Sequence, residues 1–165
     1  MPNTASEARI AERFALWFSR RAGRPYTVAP GDDPPDFVMT PEGWLEVTDI
    51  YLSNQQAKFI NLPTEKRFSM QCSPDEPALR LLAKLDEKLA KTSYQQIYNE
   101  RGPGILLLTC QDYFFDEANL ERVQEALHQF YPLDDKGFFS AAYFEYQLPG
   151  EDCVYDVVYR RGVVF

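Results

Sequence analysis

An acidic pair set inside an otherwise apolar hairpin most constrains this chain. In Asp33–Tyr51, DPPDFVMTPEGWLEVTDIY, residues Phe37, Met39, Leu45 and Val47 alternate onto one face, the period-two signature of paired strands. Between the arms, Thr40-Pro41-Glu42-Gly43 reads as a turn. Proline suits the second position of a type I turn, and Gly43 suits the left-handed residue of a following bulge. A loop closing on Thr40 and Trp44 sets Val38 opposite Glu46 and Asp36 opposite Thr48. Asp36 and Glu46 are then diagonal neighbours on one face, about 7–8 Å apart at the backbone, near enough to converge on one cation. A two-residue turn would send the two acids to opposite faces.

The 165-residue chain predicts one domain, with a core over about residues 5–110 and an extension over about 111–165. No run approaches the length of a membrane span, and the polar start MPNTASEAR does not resemble a signal peptide. Cys72, Cys110 and Cys153 are widely spaced and odd in number, which fits reduced thiols and a cytoplasmic setting. His128 is the sole histidine, so a Ser-His-Asp triad or a histidine-bearing zinc site is not expected.

The net charge of −8 is uneven, because residues 111–152 hold ten acids against Arg122 and Lys136 and the remainder is neutral overall. A protein that grips duplex DNA usually shows a basic surplus. Here only a local patch could serve.

Residues 5–22 predict a helix whose stripe of Ile10, Phe14, Trp17 and Phe18 faces a sheet, with Glu7 inside that stripe. A carboxylate there needs a partner, an ion or a wet end near the helix N-terminus. A short strand at Pro25–Val28 and the hairpin follow. Residues 52–76 read as a long, partly helical excursion containing Lys58, Lys66 and Arg67. From Pro77 to Asn99 the pattern is helical, with Leu82, Leu85 and Leu89 apolar and Leu81 at the margin. Lys84, Lys88, Lys91 and Gln95 form a flanking polar stripe, ordinarily a solvated face. Lys88 lies nearest its boundary, where a long side chain can carry an ammonium across a packed layer.

Gly104–Cys110, GILLLTC, fits a strand covered on both faces. Asp116–Phe130 predicts an acidic amphipathic helix. The aromatic end of the chain predicts two long strands and a final short one, with a surface suited to a homodimer or a partner protein. The fold class is therefore α/β, a mixed sheet flanked by helices.

The hairpin and its neighbours resemble the PD-(D/E)xK nuclease superfamily, over roughly Glu7 to Cys110. Pro35-Asp36 matches the PD pair, Glu46-Val47-Thr48 the (D/E)xK stretch, Glu7 the helical acid, and GILLLTC the strand after the second core helix. The resemblance implies a restriction-endonuclease-like αβββαβ core and hydrolysis of phosphodiester bonds in nucleic acid, DNA in the first instance. It also implies Mg²⁺ or Mn²⁺ held by Glu7, Asp36, Glu46 and the Val47 carbonyl. Thr48 departs from the pattern, since a threonine cannot supply the motif's cation. Some members carry the lysine on the following helix, and Lys88, then Lys91, are the substitutes here. The competing expectation is a catalytically degenerate binding or regulatory protein of the same fold acting through protein contacts. A glycosidase working through the acids alone is the weakest reading, because no aromatic pattern marks a sugar cleft.

Overall fold

A computed structural model describes residues 5–49, 76–114, 121, 124–125, 137–147 and 152–160. In chain order they form α1 (Ala5–Ala22), β1 (Thr27–Pro30), β2 (Phe37–Thr40), β3 (Trp44–Asp49), α2 (Glu76–Ala90), α3 (Gln95–Arg101), β4 (Gly104–Phe114), β5 (Phe139–Gln147) and β6 (Cys153–Arg160). The six strands make one mixed sheet whose spatial order repeats the chain order. β1, β2 and β3 are antiparallel neighbours, β3, β4 and β5 run parallel, and β6 returns antiparallel to β5.

Each face of the sheet carries its own core. On one face Ile10, Ala11 and Phe14 of α1 pack on Phe37, Met39, Leu45, Val47, Ile105, Leu107 and Tyr143. On the other, Leu81 and Leu85 of α2 and Tyr94 and Ile97 near α3 pack on Trp44, Leu106, Leu108, Phe139 and Phe144. Alternation along the strands divides the residues between the two layers. β3 is buried on both faces from Trp44 to Thr48, so its side chains at 44, 46 and 48 meet α2 and α3 while 45 and 47 meet α1.

The helix expected over 5–22 forms with those limits. The strand expected at Pro25–Val28 lies two residues later. The helix expected across 77–99 is broken at Lys91–Tyr94, because Tyr94 turns inward as a fully buried side chain stacked 5.4 Å from Trp44. The apolar face of α2 is centred on Leu81 and Leu85, while Leu82 and Leu89 are only partly covered. That rotation matters, since Lys88 falls seven residues after Leu81 and thus on the inward line.

In the described part of the acidic helix predicted for Asp116–Phe130, Glu121, Gln124 and Glu125 are helical. Residues 52–75 of the expected excursion (Cys72 included), His128 and the final short strand lie outside the described residues, and Glu76 opens α2. Cys110 is buried and Cys153 half-buried, and neither forms a disulfide among the described residues. Among the described residues no helix is long and apolar enough to cross a membrane.

Candidate active site at the β2–β3 hairpin

The hairpin closes one residue earlier than the sequence implies, with a loop of the same length. Phe37 pairs with Leu45 and Val38 with Trp44, and the Met39 N–H donates to the Gly43 carbonyl at 3.1 Å. The loop therefore closes on Met39 and Gly43 rather than on Thr40 and Trp44. Gly43 takes a φ of +90°, open to glycine but strained for other residues. Continued by one residue, this register puts Asp36 directly opposite Glu46 instead of diagonal to it. A change of two in register preserves the face, so the acids still meet.

Asp36 is the residue just before β2, held by a tight loop in which the Gly31 N–H donates to the Asp36 carbonyl at 2.8 Å. A side chain at position 31 would strike the Pro35 carbonyl. The Asp36 backbone N–H donates to Glu46 Oε2 at 3.2 Å, and Asp36 Oδ2 accepts from the Val47 N–H at 2.9 Å. The N–H and C=O of one strand residue point to the same side, so the Val47 carbonyl also opens toward Asp36.

Glu46 is the centre of the cluster, 5% exposed. Its Oε1 accepts from the Tyr94 hydroxyl at 3.0 Å and from the Lys88 ammonium at 3.4 Å. Lys88 arrives from α2 with its side chain 13% exposed. Thr48, at the motif's lysine position, is buried on the same side of β3 as Glu46. Its Oγ1 has no hydrogen-bond partner among the described residues, a costly state for a buried hydroxyl.

Among the described residues two carboxylates, Asp36 and Glu46, meet here with the Lys88 ammonium on Glu46, and the Asp36 carboxyl is pushed from 3.8 up to about 6. Burial is the main cause and the Glu46 charge the next, opposed by the Val47 N–H; Glu7 and Asp33 add smaller increments. Burial and then Glu46 likewise push the Tyr94 hydroxyl upward, so at neutral pH it is a proton donor to Glu46.

Of the residues singled out from the sequence, Asp36, Glu46, Val47 and Lys88 come together. Glu7 is half-buried on α1 and acts on Asp36 through its charge. Among the described residues no three acidic, histidine or cysteine side chains form a metal-binding group. Lys91 is exposed beyond the end of α2 and does not join Glu46, because the helix stops one residue earlier. Lys84 pairs with Glu87 at the surface, 3.3 Å away. Tyr94 escaped the sequence reading because an unbroken helix through 99 treats it as one more helical residue. The neighbouring Thr92-Ser93 pair, which favours turns, was the available signal.

The donor set suits a magnesium-like ion. Mg²⁺ takes one or two carboxylates and keeps its other positions for water and phosphate, without an all-protein cage. Asp36, Glu46 and the Val47 carbonyl match that demand, and the raised Asp36 pKa marks negative charge that a cation would relieve. A cavity of about 300 Å³ opens elsewhere, beside Phe18, Tyr26, Met39, Arg101 and Ile105, and includes neither acid.

Compared with protein-family models, curated proteins and solved structures, the chain matches none.

Proposed function

We propose that this protein is a metal-dependent nuclease of the PD-(D/E)xK type, with a restriction-endonuclease-like core and a lysine moved from β3 to α2. One observation carries the reading: the Lys88 ammonium lies 3.4 Å from Glu46, whose other oxygen accepts from the Asp36 N–H, while a threonine holds the motif's lysine position. A bare structural ion pair does not account for the second, crowded carboxylate or for the orphaned Thr48 hydroxyl.

Asp36, Glu46 and the Val47 carbonyl would hold Mg²⁺ or Mn²⁺, with Glu7 adding negative potential from α1. The ion, when bound, lowers the pKa of an attacking water and offsets charge on the phosphate. Tyr94 holds Glu46 in place through its hydroxyl. Lys88 supplies a positive charge for the developing phosphorane oxygens, a role of about 10²–10³ in rate where such donors have been removed. Its movement from Glu46 toward phosphate leaves Tyr94 and the Asp36 N–H to satisfy that carboxylate.

The test is cleavage of plasmid and linear DNA in Mg²⁺ or Mn²⁺. Asp36→Ala is expected to abolish it, and Lys88→Ala to slow it by about 10²-fold. Undiminished cleavage by Asp36→Ala would remove the assignment.

A second reading is a binding module of the same fold that no longer cuts. The full occupation of Glu46 Oε1 by Lys88 and Tyr94 favours it. Calorimetry separates the two, since this reading expects no heat of Mg²⁺ or Mn²⁺ binding.

A further inference from the structure

The outer face of α1 carries a charge pattern that the acidic total conceals. Residues 9–24 hold Arg9, Arg13, Arg20, Arg21 and Arg24 with Glu12 as their single acid, in a chain of net charge −8. At 3.6 residues per turn, Arg9, Arg13, Leu16 and Arg20 fall within about 60° of one another around the helix. All four are exposed, opposite the buried line of Ile10, Phe14 and Ala15. Leu16, in the middle, is 62% exposed. The row is thus a straight, outward stripe, and none of the described acids pairs with Arg9 or Arg20.

Helix electrostatics explains only part of it. Arg20 and Arg21 sit in the last turn, where the dipole favours cations. Arg9 is near the other end and has no such reason. Arg13 is committed to buried Glu145, with Nη2 at 2.6 Å and Nε at 3.3 Å, so although 43% of its side chain is open, the charges of the row with no described acid beside them are Arg9 and Arg20.

We infer that this stripe is a docking surface for the phosphate backbone of duplex DNA. From Arg9 to Arg20 the helix rises about 16 Å, and one strand of a duplex presents about five phosphates over that length at 3.4 Å each. Arginine forks fit phosphate oxygens in pairs. The surface offers no stacking platform of the kind that single strands use. Trp17, the aromatic nearest the row, is stacked on Tyr155 at 4.7 Å and has the Arg21 guanidinium over its ring at 5.4 Å. Contact confined to the backbone carries no base readout, so binding through the stripe is independent of sequence. The row lies on the α1 side of the sheet, across from Glu46 and Lys88 on the α2 side; Glu7, half a turn from Arg9 and so on the other side of the helix, acts electrostatically on Asp36.

This inference rests on the nuclease reading for its biological sense but is tested apart from it. Anisotropy of a short labelled duplex is followed in EDTA, where no metal-dependent cutting occurs, for the wild-type chain and the Arg9→Gln/Arg20→Gln double variant. Both substitutions lie on exposed positions, and circular dichroism confirms that the variant folds. The expected result is duplex binding whose slope of log K against log salt is shallower by about 2 in the variant, two phosphate contacts at about 0.9 each. Equal slopes, no duplex binding by the wild type, or tighter binding of the matching single strand would overturn it. So would a dimer by light scattering that dissociates in the variant, since the stripe would then face the acidic half of a second copy. A nuclease failure shows instead as normal, stripe-dependent binding without Mg²⁺-dependent cleavage.

Discussion

Two buried glutamates sit on opposite faces of the same sheet, and each has a tyrosine hydroxyl and a cation from a helix. Glu145, 3% exposed, receives Arg13 Nη2 on Oε1 at 2.6 Å and Arg13 Nε on Oε2 at 3.3 Å. The Tyr155 hydroxyl donates to it at 2.5 Å and Thr109 at 3.4 Å. One carboxylate meets one guanidinium fork, and both oxygens are filled. Glu46 also has both oxygens occupied, but by a single ammonium at 3.4 Å, a tyrosine hydroxyl and the Asp36 N–H, with a second carboxylate next to it. Arginine saturates a carboxylate geometrically, whereas lysine is a mobile point charge that can leave it. The closed pair holds α1 to the sheet. At Glu46 the cation is a lysine rather than a guanidinium fork, and the neighbouring Asp36 carboxyl is raised to about 6 by burial and by the Glu46 charge.

The contrast breaks most readily at Arg13. Its replacement by alanine strands the Glu145 charge in the sheet, and urea unfolding is expected to show a loss of about 3 kcal/mol, the low end for breaking a buried pair because Arg13 is partly open. A loss below about 1 kcal/mol would mean that water neutralises Glu145 and that the two sites do not differ as described.

Asp36→Asn sharpens the other side. The folded-state pKa of about 6 lies above the ordinary 3.8, so the native fold prefers the protonated acid. The stability it contributes is complete below about pH 4 and is lost as pH rises through 6. A displacement of that size is worth at most about 3 kcal/mol, reduced to about 1–2 by solvent at a partly open site. Metal-free Asp36→Asn should therefore exceed the wild type by that margin at pH 7 and match it at pH 4. An advantage of equal size at both values would assign the effect to packing instead of charge.

The smallest effect belongs to Thr48. Thr48→Val keeps the shape and removes the orphaned hydroxyl, so stability should rise by about 1 kcal/mol. A loss of stability would show that the hydroxyl has a partner in solution.

Much of the site was legible because alternation and helical period report faces directly. The hairpin alternation put Asp36 and Glu46 on one side, and the spacing of α2 put Lys88 near its inward boundary. The loop lies one residue earlier than expected, which shifts the strand register by two, since Thr40-Pro41-Glu42-Gly43 is compatible with more than one loop closure. Tyr94 and the whole Arg13–Glu145–Tyr155 group were missed. Their members lie 132 and 10 residues apart from Glu145 along the chain for Arg13 and Tyr155, and no local period links them.

Side-chain parity was the sequence's own contribution: hydrophobic alternation chooses which face a strand residue occupies, and any even slip in register leaves that choice intact. Distance and partner were decided by tertiary packing alone. Where Leu81 and Leu85 settle on the sheet turns α2 enough to bring Lys88 onto Glu46, and where Tyr94 stacks on Trp44 ends the helix before Lys91 can follow. Those are contacts between elements far apart in the chain, whose geometry depends on how both cores fill at once.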